Sequence, residues 1–212
     1  AMQRRCAASP GRCIRWARGA INTHHHPDHS LGNQIFTDLP IRARAPTAAL
    51  ASLHREAYAD NLHQLPGAWK RGAEPLPPNR VLTPGRTRMM GREFDILPLG
   101  GQTEADLALL DVQTGRLIAE ALAFLDRAPT TPSADIGRWQ ASIDTLSGID
   151  GRGVIPGHGP FDTTVAPLHR TRAYLDLLSR TMADAARLGF DMLETMQRPL
   201  PPDVAALGAQ PQ

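Results

Sequence analysis

Apolar residues at Leu50, Leu53, Ala57 and Leu62 recur at spacings near three and four, which predicts a helix over 47–65. The same period at Leu168, Tyr174, Leu175, Leu178, Met182 and Ala185 predicts a longer helix over 164–188, continued by 190–196 after Gly189. A third helix is expected from a cap at Ser133 to about Leu146, with Trp139, Ile143 and Leu146 on one face. Strand patterns lie at 13–22, at 41–45 before Pro46, from Phe94 to Leu99, at 107–112 and 116–118 as a hairpin turning at Gln113-Thr114-Gly115, and at 153–155. A short helix is expected over 30–36. The density of Pro, Gly and Arg predicts an irregular loop over 67–91, and residues 1–12 and 199–212 read as poorly ordered tails. Strands and helices are interspersed with no internal repeat, so the pattern predicts one α/β or α+β domain over 1–212.

Composition narrows the function classes. The chain is 42% hydrophobic and 21% charged, an ordinary profile for a folded globular protein. A net charge of +2 is too small to point to nucleic acid, and the basic cluster Arg4, Arg5, Arg12, Arg15 and Arg18 reads as a solvated segment. No apolar run is long enough to span a membrane, and these arginines break up any export signal, so the chain as written carries no export address. Cys6 and Cys13 leave the redox compartment open.

The chemistry concentrates in His24-His25-His26-Pro27-Asp28-His29, which places three imidazoles and a carboxylate in one short loop after a strand once His25, expected to point away, is set aside. Imidazole nitrogen and carboxylate oxygen are the ligands zinc prefers, and catalytic zinc sites use three protein ligands and keep a fourth position open. A purification tag would be terminal and uninterrupted. His158, between Gly157 and Gly159, is placed where a distant ligand would come from a strand-end loop, although alone it reads equally as a turn residue. His54, His63 and His169 lack ligand spacing and read as surface or hydrogen-bonded histidines; Asp106 and Asp126 read as structural acids.

Thr23-His24-His25-His26-Pro27-Asp28-His29, Gly100-Gly101-Gln102-Thr103, Leu117-Ile118-Ala119-Glu120-Ala121 and Pro156-Gly157-His158-Gly159 together resemble, in order and spacing, the metal motifs of the metallo-β-lactamase superfamily. Within it, Asn22 to Asn33, Phe124 to Pro132 and Pro156 to Phe161 look most like the quinoprotein relay system zinc metallohydrolases. The resemblance implies an αββα sandwich in which most of the N-terminal strands are lacking, since only 23 residues precede His24. It implies one zinc site built from His24, His26 and a third-motif histidine, and a second built from Asp28, His29 and His158. Here Gln102 and Ala121 stand where the family has ligands, so one zinc ion at Asp28, His29 and His158 is expected, with the other site weak or empty. Alternation along a strand turns Glu120 away from the face of Ala121, unless the strand is bulged.

Two functions follow. One is a zinc hydrolase in which metal-activated water, with Asp28 assisting, attacks an ester, thioester, amide or lactam of a small-molecule substrate. The other is a catalytically silent descendant that binds metal or a partner protein, for which Gln102 and Ala121 speak. A nuclease reading needs a basic channel and a bridged metal pair, and neither is apparent. The resemblance also implies a periplasmic setting beside a quinoprotein dehydrogenase, against a cytoplasmic one if the chain is complete as written. Missing strands would expose a sheet edge, so a homo-oligomer or poor solubility is expected.

Overall fold

A computed structural model describes residues 17–55, 57 and 75–207. Expectations for 1–16, 58–74 and 208–212 lie outside the described residues; they include the two cysteines, His63, the N-terminal basic cluster apart from Arg18, and most of the second half of the 47–65 helix. The chain divides into two compact units, 1–84 with 89–91, and 85–88 with 92–212.

The first unit is built on a three-stranded sheet in the order β1 (Ala20–Ile21), β2 (Ile41–Ala43), β3 (Arg80–Val81). Both pairings are parallel, with Ala20 opposite Ile41 and Ala43 opposite Val81. Parallel neighbours need a crossover rather than a hairpin. The β1 to β2 crossover contains the histidine loop, a one-turn helix α1 (Pro27–Ser30) and a 3-10 segment over Leu31–Phe36. The helix expected from Ser30 therefore starts earlier: Pro27 occupies its first turn, where a fixed φ suits the helix and a missing N–H is harmless. Ile41 and Ala43 are fully buried on one face of the central strand. Helix α2 (Ala45–Leu53) likewise starts before its expected residue, again with a proline in the first turn.

The second unit carries a five-stranded sheet in the order β4 (Gly85–Met89), β5 (Arg92–Pro98), β6 (Leu107–Asp111), β7 (Arg116–Phe124), β8 (Val154–His158). β5, β6 and β7 are antiparallel neighbours, and β8 runs parallel to β7. β3 and β4 correct the expectation of an irregular 67–91 loop. Met90 and Gly91 both have positive φ, the requirement of a two-residue hairpin turn, and Arg86 donates two hydrogen bonds of 2.8 Å to Asp95 across the pair. The expected β6–β7 hairpin is present, its turn held by the Asp111 carboxylate, which accepts from Gln113 N and Thr114 Oγ1. β7 runs on past Ile118 to Phe124.

Helix α3 (Ile136–Ser147) buries Trp139, Ile143 and Leu146, the predicted face. Its cap is Asp135 rather than Ser133: the carboxylate accepts from Arg138 N at 3.0 Å. Helix α4 (Ala166–Leu188) buries Leu168 and Leu175, and Thr171 Oγ1 accepts from Phe124 N at 2.8 Å, tying the helix to the end of β7. Gly189 at φ 73 stops it in the left-handed conformation, so 192–196 forms a separate helix, α5 (Met192–Met196), with a capping box between Asp191 and Glu194. The expected C-terminal tail forms another turn of helix, α6 (Pro202–Ala205). No described helix is long and apolar enough to cross a membrane.

Candidate metal centre

The histidine loop leaves β1 at its C-terminal end, where parallel α/β sheets place ligands. The chain bends at Thr23 and His24 and then enters α1, with His26 as N-cap and Asp28 and His29 in the first turn. Ser30 Oγ donates to the His26 carbonyl at 2.9 Å. A reciprocal amide pair closes the loop from below: Asn33 Nδ2 donates to Asn22 Oδ1 at 2.7 Å, and Asn22 Nδ2 to Asn33 Oδ1 at 3.1 Å. Asn33 Nδ2 also reaches the Leu76 carbonyl at 2.8 Å. Both asparagines are buried, so each amide needs this partner to offset its desolvation.

This scaffold brings His24, Asp28 and His29 together, with one ligand atom of each within 4.8 Å of the others. His29 Nε2 stands 3.2 Å from Asp28 Oδ2, close to the edge of about 3.4 Å expected for a tetrahedron with metal–ligand bonds of about 2.1 Å. His24 is 1% exposed, and its Nε2 is a buried nitrogen with no hydrogen-bond partner among the described residues, while Nδ1 lies 3.1 Å from Thr23 Oγ1. A buried ring with an open nitrogen, clustered with a carboxylate and a second imidazole, fits a divalent cation. His26 stands edge-on to His24, with ring centroids 5.0 Å apart. His25 stacks on His54 at 5.2 Å, so these two histidines partner each other.

Burial, with the neighbouring imidazoles of His29 and His26, holds His24 well below the ordinary histidine range; burial also lowers His26 and pushes His25 down to about 4. His24, His25 and His26 are therefore neutral imidazoles at pH 7, the form that ligates metal. The sign of the linked stability follows: between pH 6.5 and about 4 the unfolded chain binds more protons at these histidines, so stability falls as pH falls. Burial raises Asp106 to about 6, which acts in the opposite sense below that pH. The metal-free protein is expected to lose Tm between pH 7 and 5, by about 3 °C or more, and His25→Gln to flatten that slope. Calorimetry in chelator checks this, and identical slopes for the two proteins would refute it.

The other sequence-identified positions lie in the second unit. Gln102 is 2% exposed in the Gly100–Thr103 loop, where Asp106 accepts from Thr103 N at 2.9 Å and from Thr103 Oγ1 at 2.6 Å, a structural role. Ala121 is buried on β7. The proviso about Glu120 applies: β7 is irregular on both sides of it, and Glu120 has φ 49, so simple alternation does not set its direction. His158 pairs with Phe124 across β7 and β8, and their rings stack at 4.9 Å. The flanking glycines have a packing cause: a Cβ on Gly157 would stand 2.7 Å from the Glu120 carbonyl carbon, and one on Gly159 would stand 2.0 Å from Leu125 O. Spacing along the chain does not reveal the roles of Thr23, Asn22 and Asn33, because their partners are fixed by the loop's path.

No family profile matches the chain, and no curated protein does. Solved structures do. A metallo-β-lactamase from Pontibacter korlensis is 20% identical, with 76% of this chain covering 69% of that one at a TM-score of 0.58. A metallo-β-lactamase from Hirschia baltica is 18% identical over 74% and 68%, with a TM-score of 0.56. TMB-1, whose structural description concerns substrate and inhibitor binding, is 20% identical over 81% and 77%, with a TM-score of 0.61. At these identities the likeness establishes the fold: this is a mixed α/β chain with the metallo-β-lactamase fold.

Proposed function

We propose that the chain is a zinc-dependent hydrolase that holds one ion at His24, Asp28 and His29. The carrying observation is that cluster: a buried His24 whose Nε2 has no hydrogen-bond partner among the described residues, grouped with an acid and a second imidazole that stand 3.2 Å apart. Zinc bound there supplies Lewis acidity, polarising an acyl oxygen and making water a nucleophile at neutral pH. The chain's own groups do the rest. Asp28, the most exposed of the three, is suited to orient the attacking water, and His26, neutral and edge-on to His24, to donate a hydrogen bond to the oxyanion. The substrate class is a small ester, thioester, amide or lactam. The motif stretches around Asn22–Asn33 and Pro156–Phe161 support the quinoprotein relay subtype, and with it a dehydrogenase partner.

In this cluster His24 stands with Asp28 and His29, two of the three residues expected to hold the ion. The family resemblance still supports His158 as a further ligand. Metal analysis tests both. Protein purified without added metal is expected to hold about one zinc per chain, lost in His24→Ala; retention in His158→Ala would assign that histidine no ligand role. A wild type without zinc even after supplementation would sink the hydrolase. Gln102 and Ala121, in ligand positions, favour a second reading, metal binding without turnover. It would gain if zinc-loaded protein cleaves none of an ester, thioester and lactam panel.

A further inference from the structure

We propose that Thr23 is a positioning residue for the metal centre: its hydroxyl holds the Nδ1–H tautomer of His24 and so presents Nε2, as a bare lone pair, to the cation. The inference rests on the metal reading above. Thr23 is 6% exposed and His24 1%, so neither side chain has bulk water to bond with. Thr23 Oγ1 lies 3.1 Å from His24 Nδ1, and a hydroxyl can serve there as donor or acceptor. What decides between the two tautomers is the other ring nitrogen. If Thr23 donated, the ring proton would sit on Nε2, and Nε2 has no acceptor among the described residues. A buried N–H without an acceptor loses its full desolvation energy. If Thr23 accepts, the proton sits where a partner exists, and Nε2 is left as a lone pair on a ring that clusters with Asp28 and His29.

The hydroxyl also sets ring direction. An imidazole free to turn about its Cβ–Cγ bond would spread Nε2 over a wide arc, and anchoring Nδ1 restricts that arc. Ligand histidines in metal sites depend on such a partner at the second nitrogen, and its removal typically weakens metal binding about 10–100-fold. Adjacent residues on an extended strand face opposite ways, so Thr23 reaches its own neighbour only because the chain bends at Thr23 and His24. The Asn22–Asn33 amide pair stands immediately before that bend and fixes the exit of β1 from which it starts.

Two variants separate positioning from packing. Thr23→Val keeps the buried shape and removes the hydroxyl; Thr23→Ser keeps the hydroxyl and removes a methyl group. The first readout needs no metal: long-range proton–nitrogen NMR on the metal-free protein is expected to show His24 as the Nδ1–H tautomer in the wild type and in Thr23→Ser, and as a changed mixture in Thr23→Val. The second is zinc affinity by competition with a chromophoric chelator, expected to fall about 10–100-fold in Thr23→Val and to stay within about threefold in Thr23→Ser. The cobalt(II) absorption spectrum is expected to change in Thr23→Val alone. An Nε2–H tautomer in the wild type overturns the proposal, as does a Thr23→Val protein that binds zinc like the wild type, or a Thr23→Ser protein as weak as Thr23→Val. A wild type that binds no zinc overturns the metal reading, and this inference falls with it; zinc bound equally by wild type and Thr23→Val overturns this inference alone.

Discussion

Replacing Gly159 with alanine is expected to abolish the folded state. Gly159 follows β8 at φ 109, a region closed to residues with a side chain, and its Cβ would stand 2.0 Å from the Leu125 carbonyl oxygen and 2.9 Å from its carbon. The obstacle is backbone, and that backbone is itself fixed: Leu125 N donates to the His158 carbonyl at 2.9 Å. Relief would require separating the ends of β7 and β8, whose pairing holds His158 opposite Phe124. Strain of about 1–3 kcal/mol from φ, with the steric conflict added, is a large fraction of a typical stability of about 5–15 kcal/mol. Gly137→Ala is the control, because its Cβ would meet nothing closer than Asp135 Oδ1 at 3.7 Å, in the first turn of α3. There alanine should stabilise by up to about 1 kcal/mol. Urea unfolding of both variants checks the contrast; a cooperative Gly159→Ala transition within about 1 kcal/mol of the wild type would show that the strand ends yield.

Trp139→Ala is expected to cost about 3–5 kcal/mol, the range for emptying a large aromatic site in a core. Trp139 is fully buried, and the cavity would open among Phe124, Leu122 and the facing residues of α4. It also breaks a directed bond: Nε1 donates to the Leu122 carbonyl at 3.0 Å, within the irregular stretch of β7. Trp139→Phe separates the two effects, keeping most of the apolar volume and losing that bond, for about 1–3 kcal/mol from the orphaned carbonyl. The backbone of Trp139 packs so closely on Gly101 that a Cβ there would stand 2.2 Å from Trp139 Cα. The Gly100-Gly101 pair is thus a helix-packing device. Chemical denaturation with tryptophan-independent detection, such as circular dichroism, tests the series; Trp139→Ala within about 1 kcal/mol of the wild type would contradict it.

Several features were legible in the chain itself because they rest on local periodicity or ligand chemistry. The apolar spacing of Leu168 and Leu175 marks α4, and Trp139, Ile143 and Leu146 mark the buried face of α3, since a helix turns the same face inward every three to four residues. The six residues from His24 to His29, four imidazoles and a carboxylate, mark a candidate metal loop because these are the ligand types zinc prefers. Elements that depend on distant partners were not legible. β4 carries Arg86 and Arg88 with no apolar alternation, and it becomes a strand because its hairpin turn and the Arg86–Asp95 pair lay it along β5. The register shifts of β7 around Glu120 and its φ of 49 are likewise features that no period-two pattern announces. Asp135 took the cap from Ser133 because its carboxylate reaches the Arg138 amide.

For the metal centre the division is the same. The amino-acid sequence by itself determined which residues are able to ligate, since that is a property of side-chain chemistry, and it identified Gln102 and Ala121 as departures. Only the tertiary structure decided that His24 joins Asp28 and His29, that Thr23 holds its second nitrogen, and that Asn22 and Asn33 close the loop. Those are questions of where a bending chain points its side chains, and the bend is set by a parallel crossover whose two strands meet through the hydrogen bonds of Ala20 N to Pro40 O and of Asn22 N to Arg42 O.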